Sequence, residues 1–323
     1  MERLSSSGRA SALRASCPPG RTASAPSNTT KTQRGIGGAD VALSCVVDDT
    51  PEIWASIVPW LASATKLARV HPAKIHVHHV CELRPAIAKL CRTLGVVTHA
   101  IDPFCEKNPY TNKIGQCATE FGDVKSVVLT DVDIAFAAQP PFDEVQGFVA
   151  GKPVDFPNPP MEVLLDVFSR CGVTPLGVCA NAYDDRGVRI EFETCIGNFN
   201  GGMYVIPREH LARIGERWAH WARWLIANVV ILAHWAKHVD QVAFCLAVSE
   251  LRMAACLLDD RWNYPSHISM GPISAEPYVF HHHALLDEEL RLRPVSAPGA
   301  QSALKRVNRA IESFKFQHVI NKG

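Results

Sequence analysis

The 323-residue sequence lacks several features that mark common protein classes. None of its eleven cysteines forms a Cys-x-x-Cys pair, and the odd number argues against a disulfide framework or a zinc ribbon. Cysteines such as Cys45, Cys179 and Cys245 lie in apolar sequence, where a reduced thiol acts as a small hydrophobe. The longest mostly apolar stretch, residues 224–233, is shorter than the roughly 20 residues of a membrane-spanning helix. A reducing cytoplasm is therefore the predicted location.

The sequence also lacks an excess of charge of either sign, because its basic and acidic residues nearly balance. The net charge of +1 gives no indication of a nucleic-acid-binding or membrane-surface protein. Hydrophobic residues make up 47% of the chain, which is enough to build a sizeable core. The composition therefore favours a globular protein and gives no indication of a polyanionic partner.

The first 38 residues have almost no large apolar side chains and a single acid, Glu2, among several arginines and lysines. Such a segment cannot bury enough surface to fold, so residues 1–38 are predicted to be a disordered, basic, Ser- and Pro-rich leader. No apolar segment follows its first basic residues, which excludes a secretory signal. The composition also fits an organelle transit peptide, and a misassigned start codon would look the same.

Apolar strand patterns alternate with helical patterns from residue 41 onward. This alternation predicts an α/β domain over residues 39–294, with a mostly parallel central sheet and helices on both faces. The expected strands are 41–47, 74–80, 96–100 and 124–130, and the expected helices are 51–67, 85–94 and 108–121. Later helices are predicted at 160–171, 209–227 and 240–251, with extended structure over 188–206 interrupted by Gly197 and Gly201-Gly202. An amphipathic helix at 302–319, within the segment 295–323, is expected to pack on the domain edge.

Two aspartates, Asp131 and Asp133, interrupt the apolar run Val127–Phe136. Alternate side chains of a strand share a face, so Asp131 and Asp133 are expected to project together where the strand leaves the core. Paired carboxylates suit Mg2+ or Mn2+, although a solvated turn is the structural alternative. The first strand ends similarly, which makes Val47 and Asp49 candidates for substrate contacts, because ligands bind beyond the carboxyl ends of strands.

A double glycine follows an asparagine in the segment Asn198–Met203. Glycine allows the backbone to approach a ligand closely, and an adjacent asparagine can hydrogen-bond hydroxyl groups. Asn200, Gly201 and Gly202 are therefore candidate substrate-binding residues, with a simple turn as the alternative.

Three further polar segments follow along the chain. Asp240 and Gln241 stand at a predicted helix start, where they can also be an N-cap and a surface residue. Residues 257–265 carry the sequence LLDDRWNYP and predict a strand and a turn. The run Val-Phe-His-His-His presents His281 and His283 at a strand end, as metal ligands or as a solvent-exposed cluster.

These segments, in this order, resemble the nucleotide-diphospho-sugar transferases of the GT-A fold, and most of all the family of glycogenin and the bacterial lipopolysaccharide galactosyltransferases. In that family an apolar strand ends in Asp-x-Asp, and an Asn-x-Gly segment, an Asp-Gln pair, a Trp-Asn or Phe-Asn turn and a His follow. The resemblance spans residues 41–294. It implies a Rossmann-like GT-A sheet, Mn2+ or Mg2+, a nucleotide-sugar donor with UDP, and transfer of a hexosyl group to a hydroxyl acceptor with retention.

The resemblance also implies the metal site. Asp131 and Asp133 match the metal-binding pair, and His281 matches the third ligand, with His283 as the alternative. The family usually continues after its His with Gly and then Lys-Pro-Trp, whereas this chain has His282, His283 and Ala284. The cation that meets the diphosphate is therefore expected elsewhere, with these candidates: Lys113, Arg291, Arg293 or the basic C-terminal helix.

The donor-sugar site is implied in the same way. Asn200 matches the asparagine that meets the sugar hydroxyls. Asp240 and Gln241 match the pair beside the reacting carbon and are the candidate catalytic residues. Lys113, in Asn112-Lys113, looks like the lysine that related families place near the nucleotide phosphates.

The main competing interpretation is a haloacid-dehalogenase-type phosphatase with Asp131 as nucleophile and Asp133 as general acid. The later run 256–260, CLLDD, fits its second acidic strand. Against this interpretation, Ala135 stands where that family has Thr or Val, and three strand–helix units precede the supposed nucleophile strand. It also leaves the double glycine and the Asp-Gln pair without roles.

Two further functions are compatible with the sequence. One is a catalytically inactive sugar-nucleotide-binding protein on the same fold. The second is a zinc site from His234 and His238, which lie one helical turn apart but lack the Glu of the metalloprotease motif. His76, His78 and His79 are interpreted as strand positions.

Overall fold

A computed structural model describes residues 40–183, 189–268 and 275–318 of the chain. The leader predicted for residues 1–38 lies outside these residues. A seven-stranded sheet forms the centre of the described structure, and smaller sheets of three and two strands lie beside it. The strands are β1 Val41–Val47, β2 Ile75–His79, β3 Val97–Ala100, β4 Ser126–Thr130, β5 Ile134–Phe136, β6 Val149–Pro153, β7 Val178–Tyr183, β8 Arg189–Cys195, β9 Phe199–Pro207, β10 Ala255–Leu257, β11 Tyr264–Pro265 and β12 Val279–His281.

The large sheet has the strand order β10-β6-β9-β4-β1-β2-β3. Its pairs are parallel except that β9 runs antiparallel to both β4 and β6. Alternate residues of β4 enter different cores: Val128 packs with one hydrophobic cluster, and Val127 and Leu129 pack with the other. Both faces are therefore covered, which confirms the predicted fold class.

Six α-helices of the described residues cover the sheet: α1 Pro51–Lys66, α2 Pro85–Leu94, α3 Met161–Cys171, α4 Arg208–Ala227, α5 Val239–Glu250 and α6 Gln301–His318. The boundaries have local causes. The hydroxyl of Thr50 accepts the Ile53 amide at 3.3 Å and caps α1, whose first residue is proline. Gly172 adopts a left-handed conformation and ends α3. No helix in the described ranges is long and apolar enough to cross a membrane.

The structure differs from the sequence prediction in two places that matter for the site. Residues 108–121 were expected to form an α-helix, but 3-10 turns span Pro109–Ala118. The double glycine at 201–202 lies inside β9 and does not interrupt it. Strand β9 continues because its partner β4 supplies ladder hydrogen bonds, with Thr130 opposite Met203.

A three-stranded sheet, β11-β12-β5, carries the C-terminal histidines to the large sheet. In it, His281 stands opposite Ile134, and the His282 amide donates to the Asp133 carbonyl at 2.9 Å. This pairing fixes the distance between two segments that lie almost 150 positions apart in the sequence.

Candidate active site

A cavity of about 540 Å³ opens beyond the carboxyl end of β4, where β9 and α5 begin. The segments singled out in the sequence converge on it. Its lining contains nine of the predicted site residues: Lys113, Asp131, Asp133, Asn200, Gly201, Gly202, Asp240, Gln241 and His281, together with the alternative ligand His283. Val47 and Asp49 are not part of this lining.

Lys113 forms one wall of the cavity. Its Nζ lies 2.7 Å from Asp131 Oδ1 and 3.3 Å from Asp240 Oδ2, and it donates to the Gly201 carbonyl at 3.0 Å. Burial alone would lower the pKa of this ammonium, but the two carboxylates raise it above its ordinary value. Burial raises the pKa of Asp240, and Lys113 opposes that shift. The three side chains therefore form one charge cluster, with the buried Lys113 at its centre and Asp131 partly exposed.

Asp133 and two histidines form the opposite part of the site. Asp133 Oδ1 lies 3.4 Å from His281 Nε2, and the rings of His281 and His283 stack at 3.8 Å. The interaction with Asp133 raises the pKa of His281 against the effect of burial. His282 does not line the cavity, and burial lowers its pKa to about 4. The ring of His267, a residue that no sequence motif indicated, contacts His283 edge-on at 3.9 Å.

The donor atoms of Asp133, His281 and His283 lie within 4.8 Å of one another and form the one group in the described residues that has metal-ligand spacing. Asp133 Oδ1 is buried without a hydrogen-bond partner, although such atoms normally have one. A divalent cation would satisfy this oxygen, so the residues present fit the implied metal. Asp131 lies outside the group, next to Lys113.

The double glycine allows the close approach of β9 to these groups. A Cβ on Gly202 would lie 2.6 Å from His281 Nδ1, and a Cβ on Gly201 would lie 3.0 Å from Lys113 Nζ. Gly202 also accepts the Asp131 amide at 3.1 Å through its carbonyl. A larger residue at 202 would displace the histidine ring, which explains the need for glycine there.

Asn200 is held by a network that joins Asn263, from the 257–265 segment, to Asp155 and Lys152, which no sequence motif indicated. Its Nδ2 donates to Asp155 Oδ2 at 2.6 Å, and its Oδ1 accepts from the Gly202 amide at 2.9 Å and from Asn263 Nδ2 at 3.0 Å. The fully buried Lys152 donates to Asp155 and, at 3.0 Å, to the Asn263 carbonyl. Asp260 Oδ1 lies 3.4 Å from the same ammonium.

Asp240 and Gln241 stand in the first turn of α5. The Trp218 indole donates to the Asp240 carbonyl at 2.7 Å, and Gln241 Nε2 donates to the Asn158 carbonyl at 2.6 Å and to Asn198 Oδ1 at 3.0 Å. These bonds fix both residues so that they face the cavity. Both side chains are buried, unlike the exposed helix start that was the structural alternative.

A smaller cavity of about 240 Å³ adjoins the first and shares Tyr110, Lys113, Asp131 and Asp133 with it. The carboxyl end of β1 borders this cavity, but through Val46 and Asp48 and not through the residues predicted there. Val47 is buried in the core. Asp49 accepts from the Trp54 indole at 2.9 Å and is largely exposed. Alternate residues of a strand point to opposite faces, so an offset of one residue exchanges the two sets.

Other charged candidates do not reach the site. Arg291 pairs with Asp287 at 2.8 Å, and Arg293 donates to the Leu286 carbonyl at 3.2 Å. Asp259, the first acid of the pair invoked for a phosphatase, binds Arg261 at 2.6 Å. None of these residues lines the larger cavity, whereas Lys237 does.

Comparison with known proteins gives matches in structure only. No family model and no curated protein matches the sequence. The galactosyltransferase LgtC, in complex with donor and acceptor sugar analogs, matches with a TM-score of 0.51 and 11% identity over 84% of this chain and 95% of that one. An active-site mutant of LgtC gives 0.50 and 12% over the same shares. Mouse xyloside xylosyltransferase 1 in its apo form gives 0.42 and 13%, over 75% and 96%.

The sheet order and the two LgtC matches establish the architecture: the chain has the GT-A fold. The expected resemblance is confirmed at the level of the fold. Activity does not follow from a likeness at such low identity, because one fold supports many chemistries. The function has to be argued from the residues that line the cavity.

Proposed function

We propose that this protein is a metal-dependent glycosyltransferase that transfers a hexosyl group from a nucleotide-diphospho-sugar, with UDP as the nucleotide, to a hydroxyl acceptor. The observation that carries the proposal is the convergence of Asp131, Asp133, Asn200, Asp240 and His281 on one cavity of a GT-A fold. The cavity volume of about 540 Å³ lies within the range that holds small organic ligands.

The metal is proposed to be Mn2+ or Mg2+, held by Asp131, Asp133 and one of His281 and His283. When bound, it would neutralise the charge that develops on the departing nucleotide diphosphate. Lys113 keeps Asp131 and Asp240 close together across the strand ends. The cavity also contains the exposed ammonium of Lys237, which is available to meet a phosphate oxygen.

The sugar is proposed to lie between β9 and the start of α5. Asn200 and Gln241 have their amide orientations fixed by hydrogen bonds, which prepares them to bind hydroxyl groups without a reorganisation cost. Asp240 faces the same space and would position the reacting carbon. Retention of the anomeric configuration belongs to the proposal through the family resemblance, as does a cytoplasmic location.

A phosphatase has weaker support. Its second acidic pair lies outside the cavity, and the proteins of similar fold are glycosyltransferases. An inactive sugar-nucleotide-binding protein shares every feature of the donor site and differs only in turnover. An experiment therefore has to separate the transferase from both of these functions.

Calorimetry with UDP, in the presence and absence of Mn2+, tests the donor site. The expected result is binding that requires the metal and is lost in Asp133→Ala. Release of UDP from a panel of UDP-sugars tests turnover, with a phosphomonoester as the parallel substrate. Metal-independent UDP binding removes the proposed site, and phosphomonoester cleavage without UDP release establishes the phosphatase. Tight UDP binding without turnover on any UDP-sugar identifies the inactive protein.

A further inference from the structure

Tyr204 follows the double glycine of β9 but does not itself line the larger cavity. It pairs with Leu129 of β4, and its side chain is fully buried in the core on the α4 and α5 side of the sheet. The ring stacks on Phe244 at 4.2 Å and meets Trp218 edge-on at 5.6 Å. These contacts hold the ring, so the position of its hydroxyl oxygen is fixed as well.

The hydroxyl of Tyr204 is buried and has no hydrogen-bond partner among the described residues. Burial of an unpaired hydroxyl costs free energy, so a buried tyrosine normally has a partner. A phenylalanine would make the same contacts with Phe244 and Trp218 without that cost. Packing therefore explains the ring of Tyr204 but not its oxygen.

The oxygen has polar neighbours on the side of the cavity. The position of a Cβ on Gly201 marks a point in the cavity wall. The three atoms nearest to that point are Lys113 Nζ at 3.0 Å, Asp240 Oδ2 at 3.6 Å and the Tyr204 oxygen at 3.7 Å. The Trp218 indole, which packs on the tyrosine ring, donates to the Asp240 carbonyl at 2.7 Å. The tyrosine therefore supports Lys113 and Asp240 from behind the wall.

Asp240 is the less firmly held of the two acids at Lys113. The ammonium lies 3.3 Å from Asp240 Oδ2 but 2.7 Å from Asp131 Oδ1, and it also donates to the Gly201 carbonyl. A carboxylate only accepts hydrogen bonds and an ammonium only donates them, whereas a hydroxyl does both. The Tyr204 hydroxyl is therefore the group that can donate to Asp240 and accept from Lys113 at the same time.

We propose that Tyr204 is a positioning residue, whose hydroxyl donates to the Asp240 carboxylate when the donor sugar is bound and directs that carboxylate toward the reacting carbon. Hydrogen bonds of this kind commonly tighten only in the complex with substrate. The inference rests on the proposed function for the role of Asp240. The tyrosine acts through Asp240 and does not touch the sugar.

Tyr204→Phe removes the oxygen and keeps the ring. Turnover of the UDP-sugar that the unaltered protein uses is expected to fall about tenfold at saturating donor, because a misplaced group at the reacting centre slows the reaction. UDP affinity, measured by calorimetry, should stay the same. The melting temperature should be unchanged or higher, because an unpaired buried hydroxyl has been removed. Asp240→Asn already lacks the charged partner, so the double variant should lose no more turnover than Asp240→Asn alone.

Tyr264→Phe is the matched control. The Tyr264 hydroxyl is also buried and has no partner in the described part of the chain, but the residue belongs to β11 and lines neither cavity. This variant should keep full turnover.

Three results would overturn the inference and leave the proposed function intact. They are full turnover in Tyr204→Phe, a further loss when that change is added to Asp240→Asn, and a lower melting temperature together with weaker UDP binding, which would assign the hydroxyl a structural role. An equal loss of turnover in Tyr264→Phe would also contradict a specific role of Tyr204. An unaltered protein that releases UDP from no UDP-sugar would instead refute the proposed function, together with the role of Asp240 on which the inference rests.

Discussion

The acids around the cavity fall into two regions with different counter-charges. In the first, buried lysines hold the acids: Lys113 lies between Asp131 and Asp240, and Lys152 lies beside Asp155. In the second, Asp133 faces imidazoles, the nearest nitrogen being His281 Nε2 at 3.4 Å. A lysine ammonium stays positively charged and paired with its carboxylate, whereas a neutral imidazole can coordinate a metal. The lysines therefore stabilise the cavity walls, and Asp133 is the acid that remains available for the proposed metal.

Replacing Lys152 with Met should give the largest effect on stability. The ammonium is fully buried against Asp155, so its removal leaves an uncompensated buried carboxylate and should cost about 3–5 kcal/mol in the free energy of unfolding. Urea denaturation measures this cost. Lys89→Met, at an exposed position of α2, should change stability by less than about 0.5 kcal/mol. Equal changes in the free energy of unfolding at both positions would contradict a stabilising role of the Lys152 network.

Asp240→Asn should have the next largest effect, on turnover and not on stability. The variant keeps the shape of the side chain but loses the charge that faces the proposed sugar. A loss of about a hundredfold in the transfer rate is expected, with UDP affinity retained. Rate measurements at saturating donor, together with UDP calorimetry, separate the two quantities. Full transferase activity in this variant would exclude Asp240 from the reacting centre.

Gly202→Ala should have a moderate effect on stability and metal binding, and it should distinguish the histidine region from the lysine region. Its Cβ would meet the His281 ring at 2.6 Å, and crowding of this kind costs about 1–3 kcal/mol. Gly201→Ala is the matched control, because the nearest atom to its Cβ would be the end of the Lys113 side chain, at 3.0 Å. Thermal denaturation and Mn2+ titration should show a larger loss for residue 202. The reverse order would place the tight contact on the lysine side.

The smallest expected effect at neutral pH is the contribution of the buried histidines of β2 to the pH dependence of stability. These histidines do not line the cavity. Burial lowers the pKa of His76 to about 4 and that of His78 to about 3, below the ordinary value of about 6.5. The folded protein therefore binds fewer protons than the unfolded chain, so stability should fall as the pH drops below about 6.5. Urea denaturation at pH 7 and pH 5, two points about 2 units apart, measures the slope. His78→Gln should reduce that slope, and an unchanged slope would contradict the assignment.

The sequence predicted the first half of the fold better than the second. Strands β1 to β4 follow from apolar runs separated by helical patterns, and they lie side by side in the sheet in the order β4-β1-β2-β3. Strands β5 and β6 were not predicted, because they are short and their burial depends on partners distant in the sequence. Periodicity cannot report such partners, since it describes only what lies along one strand.

The candidate site shows the same limit. Asp131, Asp133 and Asn200 were recognisable from local motifs, but their pairing with Lys113 and Asn263 depends on the register of β9 against β4. Lys152 and Asp155 carried one signal that could have been used. A lysine inside an otherwise apolar strand-like run needs a buried acid, and an aspartate stands three residues later.

Helix α6 packs against α1, and the two contribute to one core although about 250 positions separate them. Val307, Ile311 and Phe314 lie in the same cluster as Trp54 of α1, and Lys66 Nζ donates to Gln317 Oε1 at 2.5 Å. During synthesis on the ribosome, the side chains of α1 that pack against α6 therefore stay exposed until α6 has been made. We expect such a nascent chain to bind chaperones for most of its translation.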